Sequence, residues 1–109
     1  MSNYRMDRAH WAKLTFYEQM GNIGSEVGRA INARKTGKEQ RVQSAIERAL
    51  DLFSATAEVN LTDAPNRVRE VLRARDEFLR LFYDNTFESD ADKIEAYFMN
   101  FACLARAGR

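Results

Sequence analysis

The sequence predicts an all-α protein, an up-down-up-down four-helix bundle with a long first helix. Apolar residues recur at helical spacing along the chain, and no segment alternates with a period of two for long. The single proline falls at a boundary between two helical segments. Because the predicted connections are short, consecutive helices are expected to pack antiparallel. A chain of 109 residues can bury one core, so residues 1–109 are interpreted as a single domain.

Two apolar stripes predict the first two helices. The first helix is expected from Asp7 to Lys35, and Gly37 provides the stop. Its apolar stripe has alternating spacings of four and three and consists of Phe16, Met20, Ile23, Val27 and Ala30. The second helix is expected from Lys38 to Glu58. The two segments together are the first predicted hairpin.

The third helix is predicted to follow a connection at Asn60 to Ala64. Thr62 or Asp63 can cap its first turn, because a side-chain oxygen there accepts a hydrogen bond from an unpaired backbone N–H. Pro65 falls within that turn, where the missing N–H costs little. Helix capping chemistry therefore places the start of the third helix close to Pro65.

The fourth helix is the most apolar of the four. After a loop at Asp84 to Glu88, Ser89 and Asp92 match the S-x-x-D capping box that starts a helix. A second apolar row lies opposite the main stripe and consists of Ala96, Met99, Cys103 and Ala107. A helix that is apolar on all sides is expected to be buried on all sides, so this row is interpreted as a homo-oligomer interface. Small residues on a weakly polar surface are the alternative.

Three glycines form a second stripe on the first helix, about 90° from its apolar stripe. Gly21, Gly24 and Gly28 each cost about 1 kcal/mol relative to Ala inside a helix unless a close contact compensates. A neighbouring helix of the same chain, or a break in the helix near Gly21 to Ser25, is the favoured explanation. A partner chain or a ligand are the alternatives, and the three glycines are interface candidates.

Arg75 is predicted to be a buried charge, because it falls near the centre of the apolar stripe of the third helix. A buried charge is costly unless it is paired and hydrogen-bonded. The favoured interpretation is a structural arginine that reaches a carboxylate, reaches helix-end carbonyls or extends to the rim of the core. An anion-binding arginine is the alternative.

The sequence contains too few cysteines and histidines for most metal sites and for an internal disulfide. One cysteine cannot form an internal disulfide, and one histidine leaves no histidine-based zinc or di-iron site, so no cofactor, metal site or catalytic residue is predicted. Arg5 and His10 fit the R-x4-6-H motif of HEPN ribonucleases, in which the histidine acts as acid or base and the arginine holds the phosphate. Because the chain contains 13 arginines, chance explains this spacing.

Charge is clustered although the net charge is only +1. The nucleic-acid candidates are the basic residues around the first connection: Arg29, Arg34, Lys35, Lys38 and Arg41. Four acidic residues fall between Asp84 and Asp92. In an up-down-up-down bundle the two clusters lie at the same end and partly neutralise each other, which weakens the basic cluster as a nucleic-acid footprint. Because arginine suits bidentate contacts to phosphate, RNA or DNA binding stays as an alternative.

No stretch approaches the roughly 20 apolar residues of a membrane span, and the first residues lack the apolar run of a signal peptide. We therefore expect a cytoplasmic protein without membrane association.

Two blocks, Phe16 to Ile31 and Tyr97 to Ala102, with a loose motif from Gln19 to Arg29, resemble short uncharacterised bacterial helical proteins. The overall plan is similar to that of S23-type four-helix bundles, which include retroelement accessory proteins that bind nucleic acid as oligomers. This chain departs from them in being nearly neutral, so no functional residue is carried over. The predicted function is a non-catalytic interaction protein that self-associates. The alternatives are a nucleic-acid-binding accessory bundle and, third, a ribonuclease.

Overall fold

The computed structural model describes residues 7–108, which form five α-helices and no strand. These helices are α1 (Arg8–Ala12), α2 (Phe16–Lys35), α3 (Glu39–Asn60), α4 (Pro65–Tyr83) and α5 (Phe87–Ala107). The all-α prediction is confirmed. Among the described residues, none of the helices is both long and apolar enough to cross a membrane.

The prediction of one long first helix is wrong. Two separate helices, α1 and α2, occupy that part of the chain. The helical run stops at Ala12, and Thr15 starts a new helix with a complete capping box. The Thr15 hydroxyl accepts a hydrogen bond from the Glu18 backbone N–H (3.1 Å), and the Glu18 carboxylate accepts one from the Thr15 N–H (2.8 Å). This reciprocal pair satisfies the first N–H groups of α2 and makes a helix start at Thr15 more favourable than continuous helix.

The start of α5 also differs from the prediction. The helix begins at Phe87, two residues before Ser89, so Ser89 lies inside the first turn and does not cap it. Its hydroxyl instead donates a hydrogen bond to the Thr86 carbonyl (3.2 Å). Asn85 has a φ of 60°, and this left-handed residue turns the chain between α4 and α5.

The connection between α3 and α4 agrees with the prediction in position but not in capping. Neither Thr62 nor Asp63 caps α4, because the N-cap residue is Ala64, which makes no side-chain capping bond. Pro65 is the first helical residue, as predicted, and needs no N–H partner there.

The core lies between α2, α3, α4 and α5. The packing places α2 against α3 and α5, α4 against α3 and α5, and α1 against α3. The Phe53 ring lies at its centre, with centroids 6.0 Å from those of both Phe78 and Phe98. The largest fully buried side chains of α2 are Met20, Ile23, Val27 and Ile31.

Buried hydrogen bonds hold the short helix α1 against α3. The Trp11 side chain is buried, and its indole N–H donates to the Thr56 hydroxyl (2.9 Å). The Gln19 amide donates to the Trp11 carbonyl (3.0 Å), and the Asn60 amide donates to the Gln19 side-chain oxygen (3.1 Å). Because buried polar groups are costly when unpaired, this network specifies how the start of the chain packs on the bundle.

Candidate interaction surfaces

The glycine stripe of α2 packs against α5 of the same chain. A Cβ added at Gly21 would lie 3.2 Å from the Ala102 Cα, and one added at Gly24 would lie 2.8 Å from the Phe98 Cβ. At Gly28 the nearest atom is a Glu95 carboxylate oxygen at 3.6 Å. Helix α2 continues through all three glycines, so there is no break in the helix. The close approach of α5 explains the glycines at positions 21 and 24.

The predicted second row of α5 is exposed in the single chain. We call this row, formed by Ala96, Met99, Cys103 and Ala107, the α5 outer face. Met99 is 57% exposed, and Leu104 beside the row is 49% exposed. Because Phe98 and Phe101 on the opposite side of the helix fill the core, α5 presents apolar side chains both inward and outward.

Two polar contacts lie on or beside the α5 outer face. Arg106 donates a hydrogen bond to the Cys103 sulfur (3.4 Å). The Tyr97 hydroxyl donates to the Glu70 carboxylate (2.8 Å) and ties α5 to α4. The pKa of the Tyr97 hydroxyl is raised above its ordinary value. Burial is the largest cause, and this hydrogen bond is the second.

A groove of about 1000 Å³, lined mainly by polar and charged residues, runs between α2 and α3. Its α2 side carries Arg29 and Asn32, and its α3 side carries Arg41 and Arg48. Lys38 lies at the connection between the two helices. We call this space the α2–α3 groove.

A buried carboxylate lies between the two helices at this groove. The Glu26 side chain is only 8% exposed and pairs with Arg29 of its own helix and with Arg48 of α3. The Arg48 Nε lies 2.5 Å from a Glu26 oxygen, while Arg29 Nη1 donates to the other oxygen. The pairing with two guanidinium groups compensates the loss of hydration of the carboxylate.

Sequence reasoning missed Glu26, although the pattern contains a signal for it. Glu26 falls on a row with spacings of four and three that faces α3, and the buried members of that row are Gln19, Ile23, Glu26, Ala30 and Ala33. A carboxylate on such a row must find a cation on the neighbouring helix. The identity of that cation, Arg48, depends on how α2 and α3 align.

The five predicted nucleic-acid candidates divide into two groups. Arg29, Lys38 and Arg41 line the α2–α3 groove. Lys35 instead pairs with Asp92 (3.6 Å), and the Arg34 guanidinium lies 5.8 Å from the ring centroids of both Phe82 and Phe87.

The contacts of Lys35 and Arg34 bring the basic connection next to the acidic one. Across residues 7–108, neither Lys38 nor Arg41 forms an ion pair. The neutralisation between the two clusters is therefore partial.

The prediction that Arg75 is a buried charge is wrong. Its side chain is 36% exposed, and the carboxylate it pairs with, that of Asp76, is 3.8 Å away. The buried stripe of α4 passes beside Arg75 and consists of Val71, Ala74, Phe78 and Leu81. Arg75 is thus at the edge of the stripe, where a long side chain packs its methylene groups and keeps its charge in water.

Of the two residues in the predicted ribonuclease motif, the structure describes only His10. His10 is exposed, and its backbone N–H donates to the Asp7 carboxylate (3.2 Å) at the start of α1. Arg5, the other member of the R-x4-6-H motif, lies outside the described residues. In the range 7–108, no three His, Cys, Asp or Glu side chains are placed to hold a metal ion.

The described residues form an all-helical fold with an exposed apolar face on α5 and a basic groove between α2 and α3. Comparison with protein-family models, with curated proteins and with solved structures gave no match. The resemblance to S23-type bundles stays a prediction.

Proposed function

We propose that this protein is a non-catalytic helical interaction protein that self-associates through the α5 outer face. The observation that carries the proposal is the exposure of Met99 (57%) and Leu104 (49%) beside small residues on the most apolar helix. Burying apolar surface contributes about 25 cal/mol per Å², so covering this face with a second copy contributes favourably to association.

The shape of the α5 outer face supports helix-to-helix contact. From Ala96 to Ala107 the row extends about 16 Å at the rise of an α-helix. Its small side chains allow a second helix to approach closely, and Met99 provides a larger contact beside them. An interface of standard size buries about 800 Å² per partner, which exceeds this row. The second copy therefore also covers surface beside this row, such as the exposed Leu104 side chain.

Size-exclusion chromatography with light scattering tests self-association. In reducing buffer, which removes any contribution of a Cys103 disulfide, the wild type is expected to form an oligomer at micromolar concentration. Met99→Glu should be a monomer, because it buries a charge in the interface. The matched control is Tyr83→Glu, which adds the same charge at a 62% exposed aromatic residue of α4 and should leave the oligomer intact. A wild type that is strictly monomeric at high micromolar concentration contradicts the proposal.

The proposal includes a cytoplasmic location and an up-down-up-down order of the four long helices. Short connections, and the packing of α2 and α4 each against both α3 and α5, support that order.

A second candidate function is an accessory bundle that binds RNA or DNA. It is favoured by the α2–α3 groove, where Lys38 and Arg41 present charge without an ion-pair partner in the described chain. A gel shift with mixed RNA or DNA that weakens as salt rises supports this function. No shift at near-physiological ionic strength contradicts it.

A further inference from the structure

The α2–α3 groove contains more positive charge than its own carboxylates neutralise. One guanidinium balances one carboxylate, yet Glu26 holds both Arg29 and Arg48. Lys38 and Arg41 add two further cations, and Glu47 is the one carboxylate among the lining residues. With Glu26 included, the groove has a net charge of +2, concentrated between two helices.

The pairing with Glu26 leaves N–H donors of Arg48 available in the groove. Arg48 uses its Nε–H on Glu26, and its two Nη groups donate to no atom of residues 7–108. A guanidinium has five N–H donors in a planar fork that matches a phosphate or carboxylate. Because Glu26 is buried and anchors both arginines, their guanidinium groups are oriented before a ligand arrives, which lowers the entropy lost on binding.

The basic side chains are spaced for an extended anion. Arg41 and Arg48 are seven residues apart on α3, so they lie on the same side of the helix about 10 Å from each other. Arg29 lies close to Arg48, because both pair with the Glu26 carboxylate. Lys38 lies near Arg41, at the other end of the groove. Neutral donors between the two ends, such as Asn32 and Ser44, complete the lining.

We propose that the α2–α3 groove binds an anionic ligand that carries two or more phosphate groups. Arg48 and Arg29 hold one phosphate, and Arg41 and Lys38 hold another. Glu26 is a positioning residue, which orients the two arginines without touching the ligand. The site does not depend on self-association through α5, and for a nucleic-acid strand it supplies the phosphate contacts of the second candidate function.

Titration calorimetry with two probes, ATP and a single-stranded RNA hexamer, tests the site at low and at near-physiological salt. Saturable binding of either probe is expected. Tighter binding of ATP identifies a nucleotide-like ligand, and tighter binding of the hexamer identifies a strand. Arg41→Gln should weaken binding about tenfold, because it removes a charge-assisted hydrogen bond without breaking an ion pair. The matched control is Arg69→Gln on α4, which removes the same charge from an exposed position outside the groove and should leave binding unchanged.

Glu26→Gln separates orientation from net charge. It makes the groove more positive, so simple electrostatic attraction predicts tighter binding, whereas loss of the anchor for Arg29 and Arg48 predicts weaker binding. We expect weaker binding, with the fold checked by circular dichroism; if this variant does not fold, Arg41→Gln decides. Met99→Glu, designed to prevent self-association, should bind the probes as the wild type does.

Three results overturn the proposed site. The first is that neither probe binds the wild type saturably at low salt. The second is that Arg41→Gln and Arg69→Gln weaken binding equally, since this would show that only net charge matters. The third is loss of binding in folded Met99→Glu, since a site within one chain does not need a second copy.

Discussion

The close approach of α2 and α5 predicts opposite effects of one added methyl group at two glycines of the same helix. At Gly24 an alanine Cβ would lie 2.8 Å from the Cβ of Phe98, whose side chain is fully buried. At Gly28 the nearest atom would be a carboxylate oxygen of Glu95 at 3.6 Å, an ordinary contact with the end of a flexible side chain. Both positions lie inside α2, so Ala gains the same intrinsic helix propensity at each.

The magnitudes follow from these distances. Gly→Ala inside a helix stabilises by about 1 kcal/mol, which is the expected gain for Gly28→Ala. At Gly24 the gain is opposed by overpacking, which costs about 1–3 kcal/mol. The upper part of that range applies because the Phe98 Cβ is attached to the α5 backbone and cannot rotate away. Gly24→Ala should therefore lose about 1–2 kcal/mol, and the two variants should differ by about 2–3 kcal/mol.

Urea unfolding followed by circular dichroism measures this difference. The midpoint should rise for Gly28→Ala and fall for Gly24→Ala, with the same slope m as the wild type. Each variant is the matched control for the other, because the chemical change and the helix are the same. A Gly24→Ala protein at least as stable as the wild type would refute the close contact between α2 and α5.

Three further predictions concern stability. Trp11→Phe removes the hydrogen bond to Thr56 and should lower the free energy of unfolding in urea by about 1 kcal/mol; no change would argue against that hydrogen bond. Thr15→Ala should cost about 1 kcal/mol through loss of the cap, whereas Thr15→Ser should retain it; equal midpoints for the two variants would argue against the capping box. Because the folded chain raises the pKa of Tyr97, it holds that proton more tightly than the unfolded chain, whose tyrosine titrates near pH 10. Stability should therefore fall as pH rises above about 10, and the urea midpoint of Tyr97→Phe should fall less steeply than that of the wild type. Parallel plots of midpoint against pH for the two proteins would exclude a contribution from Tyr97.

Local patterns in the sequence predict most of the helices. The second predicted helix, Lys38 to Glu58, differs from α3 (Glu39–Asn60) by one residue at its start and two at its end. Pro65 is correctly placed at a helix start because its preference depends on its own ring. The break before α2 is also local, since Thr15 and Glu18 form the capping box themselves. The apolar stripe begins at Phe16, so it supports α2 and gives no periodic support to the predicted helix between Asp7 and Thr15.

The candidate surfaces were predictable only in part. The exposed row around Met99 follows from helix periodicity once the buried stripe of α5 is known. Arg75 is predicted near the centre of the apolar stripe of α4, whereas it lies at the edge of the buried stripe, Val71, Ala74, Phe78 and Leu81. Glu26 and Arg48 are 22 residues apart, and their contact depends on the alignment of two helices.

By itself, the sequence determined the helical class, the approximate bounds of α3 and α4 and the second apolar row of α5, because these depend on residues within a few positions of each other. Only the tertiary structure decided that Gly21 and Gly24 pack against α5 of the same chain and that Glu26 anchors two arginines beside a groove. The physical reason is that such contacts join residues far apart in the chain. Their partners are selected by how whole helices pack, which no local pattern specifies.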